Sequence, residues 1–480
     1  MTDKYQLVYD QSTSGTKLLL LLEGKIIKRL DKKHEQCFPE DGWVEHDPVE
    51  IIENVEKLFN EMLTAMELHP ADISSVSVTN QRETIVAWDK TTGRPVTRAL
   101  VWQDNRSAEL CETIYSDERS SLIRCKTGLR LDPYFSGSKI KWLFDHFPEM
   151  KTLSDEQRLA IGTMDSWLIW NMTQRKTFAT EPSNACRTLL YNIQENYWDC
   201  ELLEIFGVSL SDLPEIYHSS DCFGKFHGIP VKGVMADSQA ALFGQNVIEA
   251  GDVKITLGTG SSILMRLDQD YRDNDSRILT TVAGVDKEKI TYVLEGIIRS
   301  CADSINWFNE KIAHFTDIEN SCNQVLQNQE SRNIFFLPAL EGLGTPFWNN
   351  QATGVFIGMK RSTSRADLLA AILESIIFQV KLVLDVMEEV SGSSPHQLRV
   401  DGGVTKNRYL MQLLAALCEK EVWVSGVEEL SAIGVVAYSF PDQKLQNQYE
   451  VYLPNKEKQQ FIQNKYSEWR RLSAILEKVK

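Results

Sequence analysis

The chain has 480 residues, too long for one typical core and suited to two domains of ordinary size. Hydrophobic residues make up 42% and charged residues 25%, the balance of a globular chain, and the formal charge is -16. That acidity argues against nucleic acid or an anionic membrane as the main partner, while an anionic nucleotide stays possible at a site built from backbone N–H groups.

Tyr5 to Tyr9 reads as a strand, followed by the small polar turn Asp10-Gln11-Ser12-Thr13-Ser14-Gly15-Thr16 and a strand Lys17 to Leu22. After Glu23-Gly24 comes a third strand, Lys25 to Leu30, and the three predict an antiparallel meander. Asp47 to Leu63 has helical spacing, with Ile51, Val55, Leu58 and Met62 on one face. Val76 to Val78 and Thr84 to Trp88 read as strands around the polar segment Thr79-Asn80-Gln81-Arg82-Glu83. Near the middle the opening pattern recurs: the strand Val253 to Leu257, the turn Gly258-Thr259-Gly260-Ser261-Ser262, and the returning strand Ile263 to Leu267. This predicts a duplicated fold unit, with the boundary near Gly244 to Asp252 and two halves at 1–245 and 246–480. Further on, Leu368, Ile372, Ile376 and Val380 mark a long amphipathic helix behind the capping signature Ser364-Arg365-Ala366-Asp367. A strand Gln397 to Val400, the turn Asp401 to Asn407 and a helix Arg408 to Cys418 follow, and the polar tail from Asn455 reads as a surface helix.

The opening residues show no basic segment followed by a long apolar stretch, and the run Leu18 to Leu22 is too short for a bilayer. Nine cysteines without a CxxC pair read as free thiols in a reducing cytoplasm rather than a metal cluster.

No Walker A sequence is present, and Gly258-Thr259-Gly260 lacks the third glycine of a dinucleotide fingerprint. Small-residue turns nevertheless follow predicted strands at Ser12 to Gly15, Gly258 to Ser262 and Gly402-Gly403. Each is either an ordinary hairpin or a place where backbone N–H groups approach phosphates closely; two matching turns at the heads of two halves favour a cleft with a phosphate hairpin on each wall. Arg82 and Glu83 read either as a solvated ion pair or, with Asn80 and Gln81, as a site for several hydroxyls. Trp102 beside Gln103 and Asp104 is either core or a ligand cover. Asp237 stands at a strand-to-helix junction, as an N-cap or as a general base for phosphoryl transfer.

The chain resembles the glycerol kinase branch of the FGGY carbohydrate kinase family. The matching segments are Gly42 to Pro48, Asn80 to Thr84, Val101 to Asp104, Asp165 to Trp170, Asn184 to Thr188, Ala240 to Gln245, Gly342 to Trp348 and Arg399 to Gly403, in order across roughly residues 5 to 440. The resemblance implies an α/β fold of two actin-like, ribonuclease-H-like domains closing on ATP and a polyol, with magnesium, in a cytoplasmic homo-oligomer (dimer or tetramer). It implies that Arg82, Glu83, Tyr134 and Asp237 contact the polyol, that Trp102 packs on its carbon edge, and that Asp237 is the base. Thr13, Ser14 and Lys17 would meet the phosphates from one side and Thr259 from the other, Gly403 and Asn407 would border the nucleotide, and Asp10 would lie near the metal. Several positions depart from the family pattern. Ser238 replaces Gln and Ser262 replaces Phe in the polyol pocket, Ala302 replaces Gly and Asn306 replaces Gln on the nucleotide side, and Lys17 replaces Arg. The segment before Gly228 is short and lacks the regulatory histidine loop of many relatives, and His227 is not expected to replace it. The implied activity is ATP-dependent phosphorylation of glycerol. A longer tetritol, pentitol or ketopentose is the alternative that the two serines raise, and a non-catalytic ATP-binding regulator is the alternative outside enzymes.

Overall fold

The structure is a computed structural model that describes residues 5–268, 275–286, 289–326, 333–443 and 448–476. The first half opens with β1 (Tyr5–Ser12), β2 (Gly15–Leu22) and β3 (Lys25–Lys33), paired antiparallel as expected. The expected seven-residue turn is shorter than its composition suggested. β1 and β2 stay paired to Ser12 and Gly15, so Asp10 is a strand residue opposite Lys17, and only Thr13 and Ser14 turn. Ladder hydrogen bonds outweigh the turn preference of polar residues here. On β3, inward and solvent positions alternate, and Lys25, Lys28 and Arg29 help keep this edge from pairing further.

Asp47 caps α1 (Pro48–Met66), its carboxylate accepting from the Val49 N–H at 2.9 Å. β1 also pairs in parallel with β4 (Ile73–Asn80). Beyond β5 (Cys222–Phe226), the strand β6 (Ile229–Ala236) lies parallel to β4 and runs straight into α2 (Asp237–Gly244). The sheet order is β5-β6-β4-β1-β2-β3.

The second half repeats this order with one strand added at the meander edge. β7 (Val253–Leu257) is antiparallel to β8 (Ser261–Arg266), and β9 (Leu279–Asp286) and β10 (Lys289–Ile298) extend the meander. The helix α3 (Arg365–Ser391) follows, capped as expected by Ser364, which exchanges hydrogen bonds with Asp367. It is buried on most sides rather than along one stripe. Then come β11 (Leu398–Asp401), α4 (Arg408–Cys418), β12 (Val422–Ser425), α5 (Leu430–Ser439), β13 (Tyr449–Tyr452) and α6 (Lys456–Leu476). The order is β9-β10-β8-β7-β11-β12-β13, with β7, β11 and β12 parallel as β1, β4 and β6 are. α6 is not merely a polar surface helix: it buries Ile462, Tyr466 and Trp469, and the Trp469 indole donates to the Phe336 carbonyl at 2.8 Å.

The halves interlock through helices. α5 of the second half packs on the first sheet, where Ala432, Val435 and Val436 share a core with Val8, Leu19, Leu21 and Met235. α5 crosses α2 at Gly244 and Gly434, where the backbones approach so closely that a Cβ on Gly434 would lie 1.7 Å from the Ala240 carbonyl oxygen. Among the described residues no helix is long and apolar enough to cross a membrane.

Candidate active site

Where β4 ends, the chain turns through Gln81-Arg82-Glu83 before re-entering a strand at Ile85–Asp89. The sequence left open whether Arg82 and Glu83 form a solvated pair; they are buried, at 6% and 1% exposure. Glu83 holds a left-handed backbone (φ 59°), unusual for a non-glycine residue. Arg82 Nη1 donates to Glu295 Oε1 at 2.9 Å, and its Nε lies 3.8 Å from Asp237 Oδ1. Arg187 bridges the two acids: Nε meets Glu83 Oε1 at 2.6 Å and Nη1 meets Glu295 Oε2. Burial raises Glu295, but Arg187 and Arg82 outweigh it and hold its carboxyl below the usual range. Burial leaves Glu83 raised despite the same two cations.

Asp237 is the first residue of α2, not its N-cap; Ala236 holds that place. The Asp237 carboxylate accepts from the Ser238 N–H at 2.6 Å and is 36% exposed, so it is open to the cleft. A chain of buried groups fixes the approach to it. Glu181 accepts from the Ser183 hydroxyl, and Ser183 Oγ accepts the Ala236 N–H at 2.9 Å. Trp102 and Tyr134 meet edge to face with centroids 5.6 Å apart, and the Trp102 indole donates to the Thr13 hydroxyl at 3.0 Å. Buried Lys139 donates to the carbonyls of Pro133 and Tyr134, which tethers that segment, and burial pulls its pKa down to about 8. Ser262 Oγ lies 3.5 Å from Glu295 Oε1, so this expected pocket residue joins the same network, while Ser238 is partly exposed beside Asp237.

At the same end of the first sheet, Lys17 of β2 sits 3.6 Å from Asp10 of β1 and 2.9 Å from Glu429 of the second half. Asp10 is pushed up to about 6, first by burial; Asp237 and Glu429 add to the rise and Lys17 opposes it. Asp10, near the end of β1, and Asp237, directly after β6, flank β4 at the same end of the first sheet. Ser14 and Thr259 are exposed at the tips of their hairpins. The second hairpin is braced by the Ala302 N–H, which donates to the Gly258 carbonyl at 3.0 Å, and Asn306 is exposed one turn further along that helix. Gly402 has φ 101°, and a Cβ there would strike the Leu257 carbonyl oxygen at 2.2 Å, which brings the Gly402-Gly403 turn against the hairpin. Gly403 is exposed and open above. Asn407 is buried and committed: it caps α4 by accepting from the Leu410 N–H at 2.9 Å and donates to the Cys322 carbonyl at 3.0 Å. Its replacement by alanine is expected to cost about 1 kcal/mol of stability, read from a denaturant midpoint, as a lost cap does. His227 lies 2.8 Å from Glu56 and stacks on Phe59.

Sequence reading missed Glu295, the buried role of Arg187, and Lys254. Lys254 is a nearly inaccessible lysine on β7 whose pKa burial lowers, although Asp401 and Asp237 oppose the fall. A lone acid in the apolar run Tyr292 to Ile298 was a usable signal for Glu295, because an unpaired charge is rarely buried.

With this geometry in hand, the comparisons with known proteins agree on one family. Residues 5–244 match the N-terminal domain, and residues 253–439 the C-terminal domain, of the FGGY family of carbohydrate kinases. Glycerol kinase 1 of Thermotoga maritima is 42% identical over 438 residues, covering 90% of this chain and 89% of its own. Glycerol kinase of Chromobacterium violaceum is 40% identical over 444 residues, covering 90% and 88%. The structure of Plasmodium falciparum glycerol kinase with ADP superposes with a TM-score of 0.90 at 30% identity, covering 99% of this chain and 98% of that one. A xylulose kinase from Lactobacillus acidophilus shares the fold with a TM-score of 0.88 at 21% identity, covering 98% of each chain. The chain thus belongs to the FGGY family of carbohydrate kinases and is an ATP-dependent kinase of the polyol and sugar class.

Proposed function

We propose that this kinase transfers the γ-phosphoryl group of ATP to a terminal hydroxyl of glycerol, forming sn-glycerol 3-phosphate. The observation that carries the reading is the pairing of a buried Arg82 guanidinium with the open Asp237 carboxylate 3.8 Å away. Glu83 and the Trp102–Tyr134 pair stand around them. Arg82, Glu83 and Tyr134 hold hydroxyls, Trp102 covers the carbon edge, and Asp237 accepts the proton of the attacking hydroxyl. Phosphoryl transfer needs little covalent work beyond that, mainly alignment and charge neutralisation. Thr13, Ser14 and Lys17 meet the phosphates from one hairpin and Thr259 from the other; Ala302, Asn306, Gly403 and Asn407 border the nucleoside. The halves, which we divide at 245/246 because α2 ends at Gly244 and β7 begins at Val253, close on both ligands and shed competing water.

A magnesium ion fits Asp10. Its carboxylate oxygens are the hard donors such an ion takes, and Lys17, 3.6 Å away, already offsets part of its charge. When bound, the ion neutralises phosphate oxygens. Nine free cysteines support a reducing, cytoplasmic setting.

The second reading is a longer polyol or sugar, favoured by Ser238 and Ser262, two small side chains on the polyol side of the cleft. The test is the ATP-consumption rate with glycerol, erythritol, pentitols, ketopentoses and dihydroxyacetone. Glycerol is expected to give the highest kcat/KM. A longer compound ahead by tenfold, about 1.4 kcal/mol of transition-state preference, would transfer the assignment to that compound.

A further inference from the structure

We infer that Glu295 and Arg187 are positioning residues for the polyol site: they hold Arg82 and Glu83 in place from behind, and they do so across the two halves. The inference rests on the reading above that Arg82 and Glu83 face the polyol.

Four side chains close a ring. Arg82 Nη1 meets Glu295 Oε1 at 2.9 Å, Glu295 Oε2 meets Arg187 Nη1, Arg187 Nε meets Glu83 Oε1 at 2.6 Å, and Glu83 returns to Arg82 Nε at 3.9 Å. Two cations face two anions, so the ring is neutral within itself. Arg187 and Glu295 are both at 0% exposure and cannot touch a ligand that enters from solvent; any effect on the polyol passes through their partners.

A guanidinium presents its donors in one rigid plane, so anchoring Nη1 narrows the directions open to the others. Glu295 takes Nη1, and Gln239 Oε1 lies 3.5 Å from the same nitrogen. That leaves Nε directed toward Asp237. Arg187 does the same for Glu83, whose left-handed backbone gives its side chain a direction that an ordinary turn would not. Its guanidinium lies over the Phe135 ring, 5.1 Å from the centroid, which limits its own rotation. Arg187 follows the short helix Pro182–Ala185 of the first half, whereas Glu295 lies on β10 of the second. The floor of the polyol site is therefore finished by a strand from the opposite half, and its shape depends on how the halves sit.

The experiment compares Glu295→Leu, the double variant Glu295→Leu/Arg187→Met, and Arg82→Ala. Each is tested with ATP and with glycerol, or with whichever compound leads the substrate panel. Glu295→Leu is expected to raise the polyol KM at least tenfold, to leave the ATP KM within twofold, and to lower kcat at saturating polyol by less than the KM rises. The double variant restores charge balance and is expected to melt near the wild-type temperature while keeping the raised polyol KM. A purely structural role predicts the opposite, with the KM recovering as the stability does. An unchanged polyol KM in folded Glu295→Leu overturns the inference, and so does recovery of the KM in the double variant or failure of that variant to fold. If Glu295→Leu alone does not fold, the polyol KM of the double variant decides. Arg82→Ala separates the two levels. If it leaves the polyol KM intact, the pocket assignment itself is wrong. If it raises the KM while Glu295→Leu does not, only the positioning role is lost.

Discussion

Asp237→Asn is expected to lower kcat by about 10²–10⁴-fold, the usual span for loss of a general base, while ATP binding measured by calorimetry stays unchanged. The substitution preserves shape. The side-chain oxygen that accepts the Ser238 N–H at 2.6 Å remains, so the start of α2 keeps its local bond. The Ser183–Ala236 contact that fixes the approach to this position involves no atom of Asp237 and is retained. What disappears is the group that takes the hydroxyl proton. The polyol KM is expected to move by no more than a few-fold, because Arg82, Glu83 and the Trp102–Tyr134 pair are untouched. Turnover within threefold of wild type would remove Asp237 from the chemistry and leave it only as part of the electrostatics around Asp10.

Gly434→Ala is the second large effect. The added Cβ would sit 1.7 Å from the Ala240 carbonyl oxygen and 2.7 Å from the Gly244 nitrogen. Both are helix backbone atoms, so no rotamer change relieves the contact and the two helices must separate. Overpacking of this kind costs about 1–3 kcal/mol. The functional cost is expected to exceed it, because α2 begins at Asp237 and carries that residue away as it moves. A displacement near 1 Å at a reacting group lowers rate by roughly a hundredfold. Thermal melting and kcat measured together check this: a lower melting temperature with a disproportionate loss of turnover is expected. Gly244→Ala, whose Cβ would meet the Leu430 carbonyl oxygen at 2.1 Å, should behave alike. Wild-type turnover in both would mean that the crossing does not set the position of Asp237.

Local chemistry made much of this molecule legible in advance. The meander read at Tyr5 to Leu30, the helix read from Asp47, the capping box at Ser364 and the helix Arg408–Cys418 follow from patterns within one or two turns of chain. The recurrence of strand, small turn and strand at Val253 foretold a second sheet of the same order. Where single positions were misjudged, the reason was a longer-range force. Asp10 lies in a strand because β4 pairs with β1 on the other side and extends the ladder through Gln11. α6 buries aromatic residues because α3 and the Phe336 strand lie beneath it, which composition does not reveal.

The sequence by itself determined the kinds of group available: a carboxylate at a helix start, an arginine and a glutamate in a tight turn, hydroxyl-bearing hairpins and the family pattern that unites them. Tertiary structure alone decided which of those charges are paired, and with what. Lys17 meets Glu429 across 412 positions, and Arg187 meets Glu295 across 108. No local propensity encodes such partners. They are selected because a charge taken out of water must find its counter-charge wherever the fold brings one, and here the fold brings them from the opposite half.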